Sequence, residues 1–375
     1  MSGLIIEEYS TEGGNRIGHL RLNAERSLNA LTLEMIAQML PTLTAWQQDP
    51  QLVAVLLDGA GDKAFCAGGD VVSLYQAIGK SGPANERGLT PVLETAARFF
   101  ELEYRLDYLL HTFGKPVLCW GGGIVMGGGM GLFSASSHRI VTETSRLAMP
   151  EVTIALYPDV GGSWFLNRLP PGMGEFMALT GCRLNGPDAH WLGLGNRTIA
   201  ASKRAELLPA LLAVQDWHKP EAAVNRVLRR LEAESHEIFA ELASPLRRHQ
   251  QQIRALLDQD SLTEQVAAIR DADIEDAWYQ HARQSLAAGS PLAIRIIVEQ
   301  LQRCRHYSLA EVFRAELALS VQLCRFREFA EGVRARLIDK DNQPDWTFSR
   351  LDEVDESLLA HLFESPWPVS PLADL

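Results

Sequence analysis

Two carboxylates, Glu151 and Asp159, lie eight residues apart in an otherwise apolar stretch, residues 149–162. A carboxyl group in apolar surroundings has a raised pKa, which suits a general base or a general acid. A structural interpretation is also open, in which one carboxylate caps a helix and the other belongs to a turn. Asp159 fits a turn because Val160, Gly161 and Gly162 follow it, whereas Glu151, directly after a proline, is harder to explain in that way.

Two glycine-rich segments could donate hydrogen bonds to a developing negative charge. Residues 63–70 precede a helix-like run at 71–78, and residues 121–131 precede another at 132–136. Backbone N–H groups at a helix start lack partners within the helix, and glycine lets another group approach them. Two such turns in one domain could supply two donors to the carbonyl oxygen of a thioester. The alternatives are a tight turn capped by Asp70 and close helix–sheet packing.

The spacing of residues does not indicate a nucleotide-binding, serine-nucleophile or zinc site. The patterns GxGxxG, GxxxxGK[ST] and GxSxG are missing, and no two cysteines have CxxC spacing. His236-Glu237 begins like the zinc motif HExxH, but Ala240 stands at the fifth position. Cys66 has no histidine near it in sequence, so we predict a small buried residue and not a nucleophile. We therefore expect no metal and no tightly bound cofactor.

Strands and helices must alternate to position these residues. Strand-like runs occupy residues 17–22, 53–57 and 116–120, and residues 32–46 have helical periodicity. One face of that helix is apolar: Met35, Met39, Leu40, Leu43 and Trp46. This alternation predicts a layered α/β architecture.

The second half of the chain has a different composition. From about Ala201 it is rich in alanine, leucine, glutamate, arginine and glutamine, with few glycines, which predicts a helical region. Ser244-Pro245 and Ser290-Pro291 predict breaks between its helices. Residues 117–135 carry no charge over a length that could span a membrane, but glycine clusters divide them, so we predict a buried strand, loop and helix start.

Composition and charge narrow the classes of partner. The chain has 375 residues, 46% of them hydrophobic, with 35 basic and 47 acidic side chains and a formal net charge of −12. That balance argues against nucleic-acid binding, but it does not exclude a small anionic ligand, which responds to the local field. Five scattered cysteines and an acidic start without a targeting pattern predict a cytoplasmic protein with reduced thiols.

Three segments together resemble the crotonase superfamily, the enoyl-CoA hydratases and isomerases. Residues 65–70 (FCAGGD) resemble its first oxyanion-hole turn, residues 124–129 (IVMGGG) its second, and residues 25–31 (ERSLNAL) its early CoA-contacting turn. The resemblance implies a crotonase-type α/β core, a spiral of repeated ββα units, in residues 1–200. A helical C-terminal region and tail, residues 201–375, would pack on this core.

Two further motifs resemble the 3-hydroxyisobutyryl-CoA hydrolase branch of the superfamily. One is Met149-Pro150-Glu151 followed by residues 157–162 (YPDVGG), and the other is residues 328–335 (EFAEGVRA) followed by 337–341 (LIDKD). The branch implies hydrolysis of a short-chain 3-hydroxyacyl-CoA thioester to free CoA and the hydroxy acid. The expected substrate is 3-hydroxyisobutyryl-CoA, an intermediate of valine catabolism.

The resemblance also implies roles for individual residues. Gly69 and Gly128 would donate N–H groups to the thioester oxygen, and Glu151 would be the catalytic glutamate, either as a nucleophile or as the base for a water. Asp159 would be the acid that separates the hydrolases from the hydratases, where glycine is usual; it would bind the substrate hydroxyl or orient Glu151. Glu103 would be a further substrate-site glutamate, although its helical context also fits a solvated face.

Gly131 falls where hydratases carry a second glutamate, and water addition to a double bond needs a proton-handling group there. An enoyl-CoA hydratase or isomerase is therefore the weaker alternative, and a non-catalytic acyl-CoA-binding protein is another. Arg26 and Lys63 are predicted to contact CoA. The expected partner is an acyl-CoA substrate, with neither nucleic acid nor membrane, and a homo-oligomer is left open.

Overall fold

The computed structural model describes residues 3–80 and 82–375. The strands in these residues are β1 (Leu4–Ser10), β2 (Arg16–Leu22), β3 (Leu52–Gly59), β4 (Ala64–Cys66), β5 (Val117–Gly121), β6 (Ile124–Met126), β7 (His138–Val141), β8 (Arg146–Ala148) and β9 (Arg197–Thr198). The first nine helices are α1 (Leu33–Gln48), α2 (Val71–Ile78), α3 (Glu94–His111), α4 (Gly128–Ala135), α5 (Gly162–Leu166), α6 (Met173–Thr180), α7 (Gly186–Trp191), α8 (Arg204–Leu212) and α9 (Pro220–Ala233). The others are α10 (His236–Ala240), α11 (Pro245–Arg248), α12 (Gln250–Leu257), α13 (Leu262–Asp271), α14 (Ala277–Ala288), α15 (Pro291–Cys304), α16 (Leu309–Arg325), α17 (Arg327–Val333) and α18 (Glu356–Leu362).

The larger of two sheets has the strand order β1-β2-β3-β5-β7-β9. β1 pairs antiparallel with β2, and the other neighbours run parallel. β3 is buried along its whole length, which is typical of a parallel strand covered on both faces. The smaller sheet has the order β4-β6-β8. The predicted α/β architecture is therefore confirmed.

The chain divides into two compact units, each built from three separate stretches. The sheet unit contains the described residues up to Gly69, then Leu106–Leu147 and Leu184–Arg248. The helical unit contains Asp70–Arg105, Ala148–Arg183 and His249–Leu375. These boundaries differ from the division after residue 200 that the sequence predicts, because both units draw on residues before and after that point.

Helix α1 of the sheet unit follows the predicted periodicity. Thr32 caps it by accepting a hydrogen bond from the Met35 N–H. Its buried residues are Met35, Ile36, Met39, Leu43 and Trp46, so Ile36 replaces the predicted Leu40, which is half-buried. A Cβ on Gly18 of β2 would lie only 2.6 Å from the Trp46 ring, and this explains why a glycine occupies the sheet beneath the helix. Helices α8 and α9 complete the apolar core of this unit through Leu207, Leu211, Val224 and Leu228.

A buried carboxylate ties the larger sheet to the start of α8. Asp58 accepts hydrogen bonds from Arg21 at 2.9 and 3.0 Å and contacts His19 at 3.0 Å and Arg204 at 3.2 Å. Burial disfavours its ionisation, but the hydrogen bonds from His19 and Arg21 outweigh it and lower the pKa of Asp58 to about 2.

The predicted breaks within the C-terminal half are confirmed in both units. Helix α15 begins at Pro291 after the cap Ser290, and α11 of the sheet unit begins at Pro245. Helix α16 begins with a capping box, in which Ser308 and Glu311 bond reciprocally through side chain and backbone.

Residues 117–135 form β5, β6 and α4, as the glycine clusters predict. No helix in the described ranges, 3–80 and 82–375, is long and apolar enough to cross a membrane. The predicted start of the helical run at Leu132 is wrong, because α4 begins at Gly128 inside the glycine cluster. Glycine has a low intrinsic helix propensity, so the sequence predicts a helix only after the last glycine of the cluster.

Candidate active site

The first glycine turn, after β4, pairs with the predicted CoA-contacting turn. The Leu31 N–H donates to the Gly68 carbonyl at 2.8 Å, and the Ala67 N–H donates to the Leu28 carbonyl at 3.0 Å. Gly68 has a φ of +122°, a conformation that side chains disfavour. Gly69 follows it, one residue before Asp70, which caps α2 by accepting from the Ser73 N–H. The cap predicted for Asp70 is therefore present beside the proposed donor.

The second glycine turn packs directly on the first. A Cβ on Gly129 would lie 2.3 Å from the Cys66 carbonyl oxygen, so only glycine fits there. A Cβ on Gly68 would lie 4.0 Å from the Gly128 nitrogen. Gly128 is the first residue of α4, where a backbone N–H has no acceptor within the helix. The two predicted donor turns therefore lie side by side in the sheet unit, and the predicted close packing of glycine is present with them.

Arg26 and Lys63 are both exposed and are linked through Asn29. Arg26 lies in a short 3-10 helix, Glu25–Ser27, and Lys63 directly precedes β4. The buried Asn29 side chain accepts from the Ala24 N–H and donates to the carbonyls of Ala60 and Ala64, at 2.9–3.0 Å. Asn29 thereby holds the segment of Arg26 against the segment of Lys63. Sequence reasoning did not single out Asn29, although a buried amide in a tight turn is a recognisable signal.

The helical unit brings the three predicted carboxylates together. Glu151 opens a 3-10 helix, Glu151–Ile154, directly after Pro150. Asp159 precedes a turn in which Val160 and Gly161 both have positive φ, +54° and +82°. Glu103 lies on α3, and all three carboxylates are buried. The solvated helix face considered for Glu103 is therefore wrong.

Burial dominates the electrostatics of these carboxylates. Burial raises the pKa of Glu151 well above its usual value, and the negative charges of Asp159 and Glu103 raise it further. Burial, followed by the charge of Asp159, also raises the pKa of Glu103. The pKa of Asp159 is raised by burial to about 6, against the hydrogen bond from Tyr104, which lowers it. With a pKa of about 6, Asp159 can exchange a proton near neutral pH.

Two carboxylate oxygens of the cluster have no hydrogen-bond donor within the described residues: Oε1 of Glu103 and Oε2 of Glu151. A buried acceptor without a partner is rare and calls for a ligand, a water or a catalytic role. In contrast, the Tyr104 hydroxyl donates to Oδ2 of Asp159 at 2.6 Å. The cluster therefore combines one anchored carboxylate with two that each keep one oxygen without a hydrogen-bond donor.

Helix α16 contributes residues that the sequence analysis missed. Glu316 accepts hydrogen bonds from the Gly161 N–H at 2.8 Å and the Ser163 N–H at 3.0 Å, directly after the Asp159 turn. Ser320 contacts the hydroxyls of Tyr104 and Tyr157. A signal existed for Glu316, because it is a carboxylate on the apolar face that also carries Val312, Phe313, Leu317 and Ser320.

The predicted site residues thus fall into two groups. Gly69, Gly128, Arg26 and Lys63 belong to the sheet unit, and Glu103, Glu151 and Asp159 belong to the helical unit. Gly131, at the position of the missing second glutamate, is buried within α4. No group of three or more histidine, cysteine, aspartate or glutamate side chains in residues 3–80 and 82–375 is arranged to hold a metal ion. Buried carboxylates of raised pKa and paired N–H donors can support acyl transfer.

Comparison of sequences gives close relatives over almost the whole chain. The enoyl-CoA hydratase/isomerase family matches residues 17–363. The Homo sapiens protein named 3-hydroxyisobutyryl-CoA hydrolase, mitochondrial, is 36% identical over 359 residues, covering 96% of this chain and 89% of the human one. The Gallus gallus protein of that name is 35% identical over 349 residues, covering 92% and 86%. These relatives are mitochondrial by name, so they do not support the predicted cytoplasmic location.

Comparison with solved structures indicates the same family as the comparison of sequences. A carnitinyl-CoA dehydratase from Mycobacterium thermoresistibile has a TM-score of 0.81 and 32% identity over 97% of both chains. An enoyl-CoA hydratase from Rhodobacter sphaeroides 2.4.1 has a TM-score of 0.80 and 29% identity over 97% of this chain and 98% of that one. This likeness confirms the crotonase-type fold that the three sequence segments predict. The chain therefore belongs to the enoyl-CoA hydratase/isomerase family.

Proposed function

We propose that this protein hydrolyses a short-chain 3-hydroxyacyl-CoA thioester to free CoA and the hydroxy acid, with 3-hydroxyisobutyryl-CoA as the preferred substrate. The observation that carries the proposal is the buried pair of Glu151 and Asp159, close enough for the charge of Asp159 to raise the pKa of Glu151. The names of the human and chicken relatives support the same activity. The proposal would place the protein in valine breakdown.

The proposal assigns electrostatic stabilisation to the sheet unit. The N–H groups of Gly69 and Gly128 would donate to the thioester oxygen as it gains negative charge. Removing one such donor typically costs about 3 kcal/mol of transition-state stabilisation. Arg26 and Lys63 would meet the phosphates of CoA, since both are exposed cations, Arg26 within the predicted CoA-contacting turn and Lys63 directly before β4.

The reaction requires one ionised carboxylate, which we assign to Glu151. In one route its oxygen attacks the thioester carbon, CoA leaves as the thiolate, and water then hydrolyses the mixed anhydride to the hydroxy acid. In the other route Glu151 takes a proton from water, the resulting hydroxide attacks, and that proton passes to the departing thiolate. Asp159 would accept a hydrogen bond from the 3-hydroxyl of the substrate or orient Glu151. Glu103 would contribute its unpartnered Oε1 to substrate binding.

A hydratase or isomerase activity is the second candidate, since the two structural relatives are named as a dehydratase and a hydratase. Against it stands Gly131, because a buried glycine cannot handle a proton. Crotonyl-CoA separates the two candidates. Loss of its enoyl absorbance without release of CoA would support the hydratase and overturn the hydrolase.

The main test is a panel of CoA thioesters scored for CoA release with a thiol reagent. We expect 3-hydroxyisobutyryl-CoA to be the best substrate and Glu151→Gln to lose at least a hundredfold in kcat. Asp159→Gly should lose more activity on hydroxyacyl-CoA than on the matching plain acyl-CoA. Glu175→Gln, a half-buried carboxyl on α6 of the same unit, is the matched control and should retain activity. Near-normal hydrolysis by Glu151→Gln would refute the assignment, and tight CoA binding without turnover of any thioester would favour a non-catalytic binding protein.

The remaining expectations have simple tests. We propose that no metal or other bound cofactor takes part, so dialysis against a chelator should leave CoA release unchanged. The homo-oligomer is tested by light scattering of the purified protein. The cytoplasmic location stays a prediction and is tested by fractionation of the source cells.

A further inference from the structure

Three hydroxyl groups connect Asp159 to the backbone of α16. The Tyr104 hydroxyl lies 2.6 Å from Oδ2 of Asp159 and 2.7 Å from Oγ of Ser320. Oγ of Ser320 lies 2.9 Å from the Tyr157 hydroxyl, which lies 2.9 Å from the Glu316 carbonyl oxygen. All of these residues are buried. They form a continuous chain of hydrogen bonds, which we name the hydroxyl chain.

The hydroxyl chain can point in either direction without movement of a heavy atom. Each hydroxyl carries one hydrogen and can also accept. When Asp159 is ionised, Tyr104 donates to it, Ser320 donates to Tyr104, and Tyr157 donates to Ser320. When Asp159 is protonated, it donates to Tyr104 and Tyr104 donates to Ser320. Ser320 then donates to Tyr157, and Tyr157 donates to the Glu316 carbonyl. Both states leave every hydroxyl hydrogen with an acceptor, and hydrogen bonds aligned in one direction strengthen one another.

We propose that Tyr104 is a positioning residue that, as the first member of the hydroxyl chain, holds Asp159 in one orientation in both of its protonation states and binds the ionised form more strongly. The inference rests on the proposed function, because it explains how Asp159 can present a fixed carboxyl group to the substrate. Tyr104 itself would act through Asp159, and its hydroxyl is already fully engaged within the protein.

The surroundings of Asp159 show why such a donor matters. The titratable groups that face it are Glu103 and Tyr104 from α3, Glu151 and Tyr157 from the segment before the turn, and Glu316 and Cys324 from α16. These neighbours are acids, and burial raises the pKa of Asp159, so its ionised form depends on hydrogen bonds. The bond from Tyr104 opposes that rise in the pKa of Asp159.

The test is the titration of Asp159 itself, followed by its carboxyl infrared band in the full-length protein and assigned by its loss in Asp159→Asn. In Tyr104→Phe we expect the midpoint to move upward by about one to two pH units, the size expected for a lost hydrogen bond to a charged group. The matched control is Tyr279→Phe on α14. Tyr279 is a buried tyrosine that donates a single bond, to the Ile269 carbonyl at 2.7 Å, outside the hydroxyl chain. Its removal should leave the midpoint of Asp159 unchanged.

Ser320→Ala gives a second measurement if Tyr104→Phe does not fold. It leaves the Tyr104–Asp159 bond in place but removes the donor behind Tyr104, so a smaller upward move is expected. CoA release supplies a separate readout: the low-pH limb of kcat/KM should move upward in Tyr104→Phe and the rate should recover at high pH. A midpoint unchanged from wild type in both variants, or moved equally in Tyr279→Phe, would overturn the proposal. A wild type that titrates as expected but releases CoA from no thioester would overturn the proposed function alone.

Discussion

Glu316→Gln offers a quantitative test of how the Asp159 turn is held. The Glu316 carboxyl group accepts the N–H groups of Gly161 and Ser163 from the centre of α16. Burial raises the pKa of Glu316 to about 8, and the charge of Asp159 adds to the rise. The two N–H groups oppose it but do not cancel it. At pH 7 the folded protein therefore keeps this group mostly protonated, whereas the unfolded chain ionises it near its usual value of 4.5.

The pH dependence of stability follows from this difference. The folded state retains a proton that the unfolded chain releases, so the stabilising effect is complete below pH 4.5 and is lost as the pH rises to about 8. At 1.36 kcal/mol per pH unit, the full loss amounts to about 5 kcal/mol. Glutamine cannot ionise, so the Glu316→Gln protein should not show this loss. It should be less stable than wild type at pH 5 by about 1–2 kcal/mol, because an amide has only one acceptor oxygen for two N–H groups.

The measurement is urea denaturation at several pH values from 5 to 9, followed by tryptophan fluorescence. The free energy of unfolding should be higher for wild type at pH 5 and higher for Glu316→Gln at pH 9, so that the two curves cross. Glu275→Gln, an exposed carboxyl in the same unit, is the control and should run parallel to wild type. If the difference between Glu316→Gln and wild type changes by less than about 1 kcal/mol across this range, the assignment of a raised pKa to Glu316 is refuted.

Two further substitutions test the sheet unit. Gly129→Ala should lower the free energy of unfolding by about 3 kcal/mol and abolish CoA release, because its Cβ would lie 2.3 Å from the Cys66 carbonyl oxygen. Gly79→Ala, whose Cβ would make ordinary contacts at 3.8 Å, should be tolerated in the same urea titration. Asp58→Asn should lower the free energy of unfolding by about 2 kcal/mol at pH 7. The reason is that basic neighbours hold the pKa of Asp58 at about 2, and the stabilisation that they give is complete above pH 3.8. The fully exposed Asp62→Asn should differ little from wild type, and an equal loss in both aspartate variants would contradict the role of Asp58.

The sequence predicts the local elements around the proposed donors because their signals are local. The predicted helical run at 71–78 is α2, Val71–Ile78, and Asp70 caps it as predicted. The start of α4 was missed because its first turn consists largely of glycine, and packing of Gly129 against Cys66 overrides a low helix propensity. This effect depends on a contact between β4 and α4, which lie far apart in sequence. A short stretch of sequence therefore cannot predict it.

The carboxylate cluster shows a different limit. The spacing of Glu151 and Asp159 in an apolar stretch predicts two buried acids, and both are buried. For Glu103 the sequence alone fits both a substrate-site residue and a solvated helix face. The pattern on α3 favours burial in retrospect, because Phe99, Phe100 and Leu106 on the same face are buried with it. The negative charge of Asp159 raises the pKa of Glu103 although the two residues are distant in sequence, and only the folded chain brings them near each other.

The cluster also constrains how its pH dependence must be interpreted. Glu103, Glu151, Asp159 and Glu316 are four buried acids, each with a raised pKa, so they do not all ionise together at neutral pH. Folding favours their neutral forms, while thioester hydrolysis needs one of them ionised. Hydrogen bonds favour the ionised form at two of the four positions: backbone N–H groups donate to Glu316, and the Tyr104 hydroxyl donates to Asp159. One oxygen of Glu103 and one of Glu151 have no donor among the described residues. A proton lost by one member therefore raises the pKa of the next, and the limbs of a pH–rate profile belong to the cluster and not to Glu151 alone.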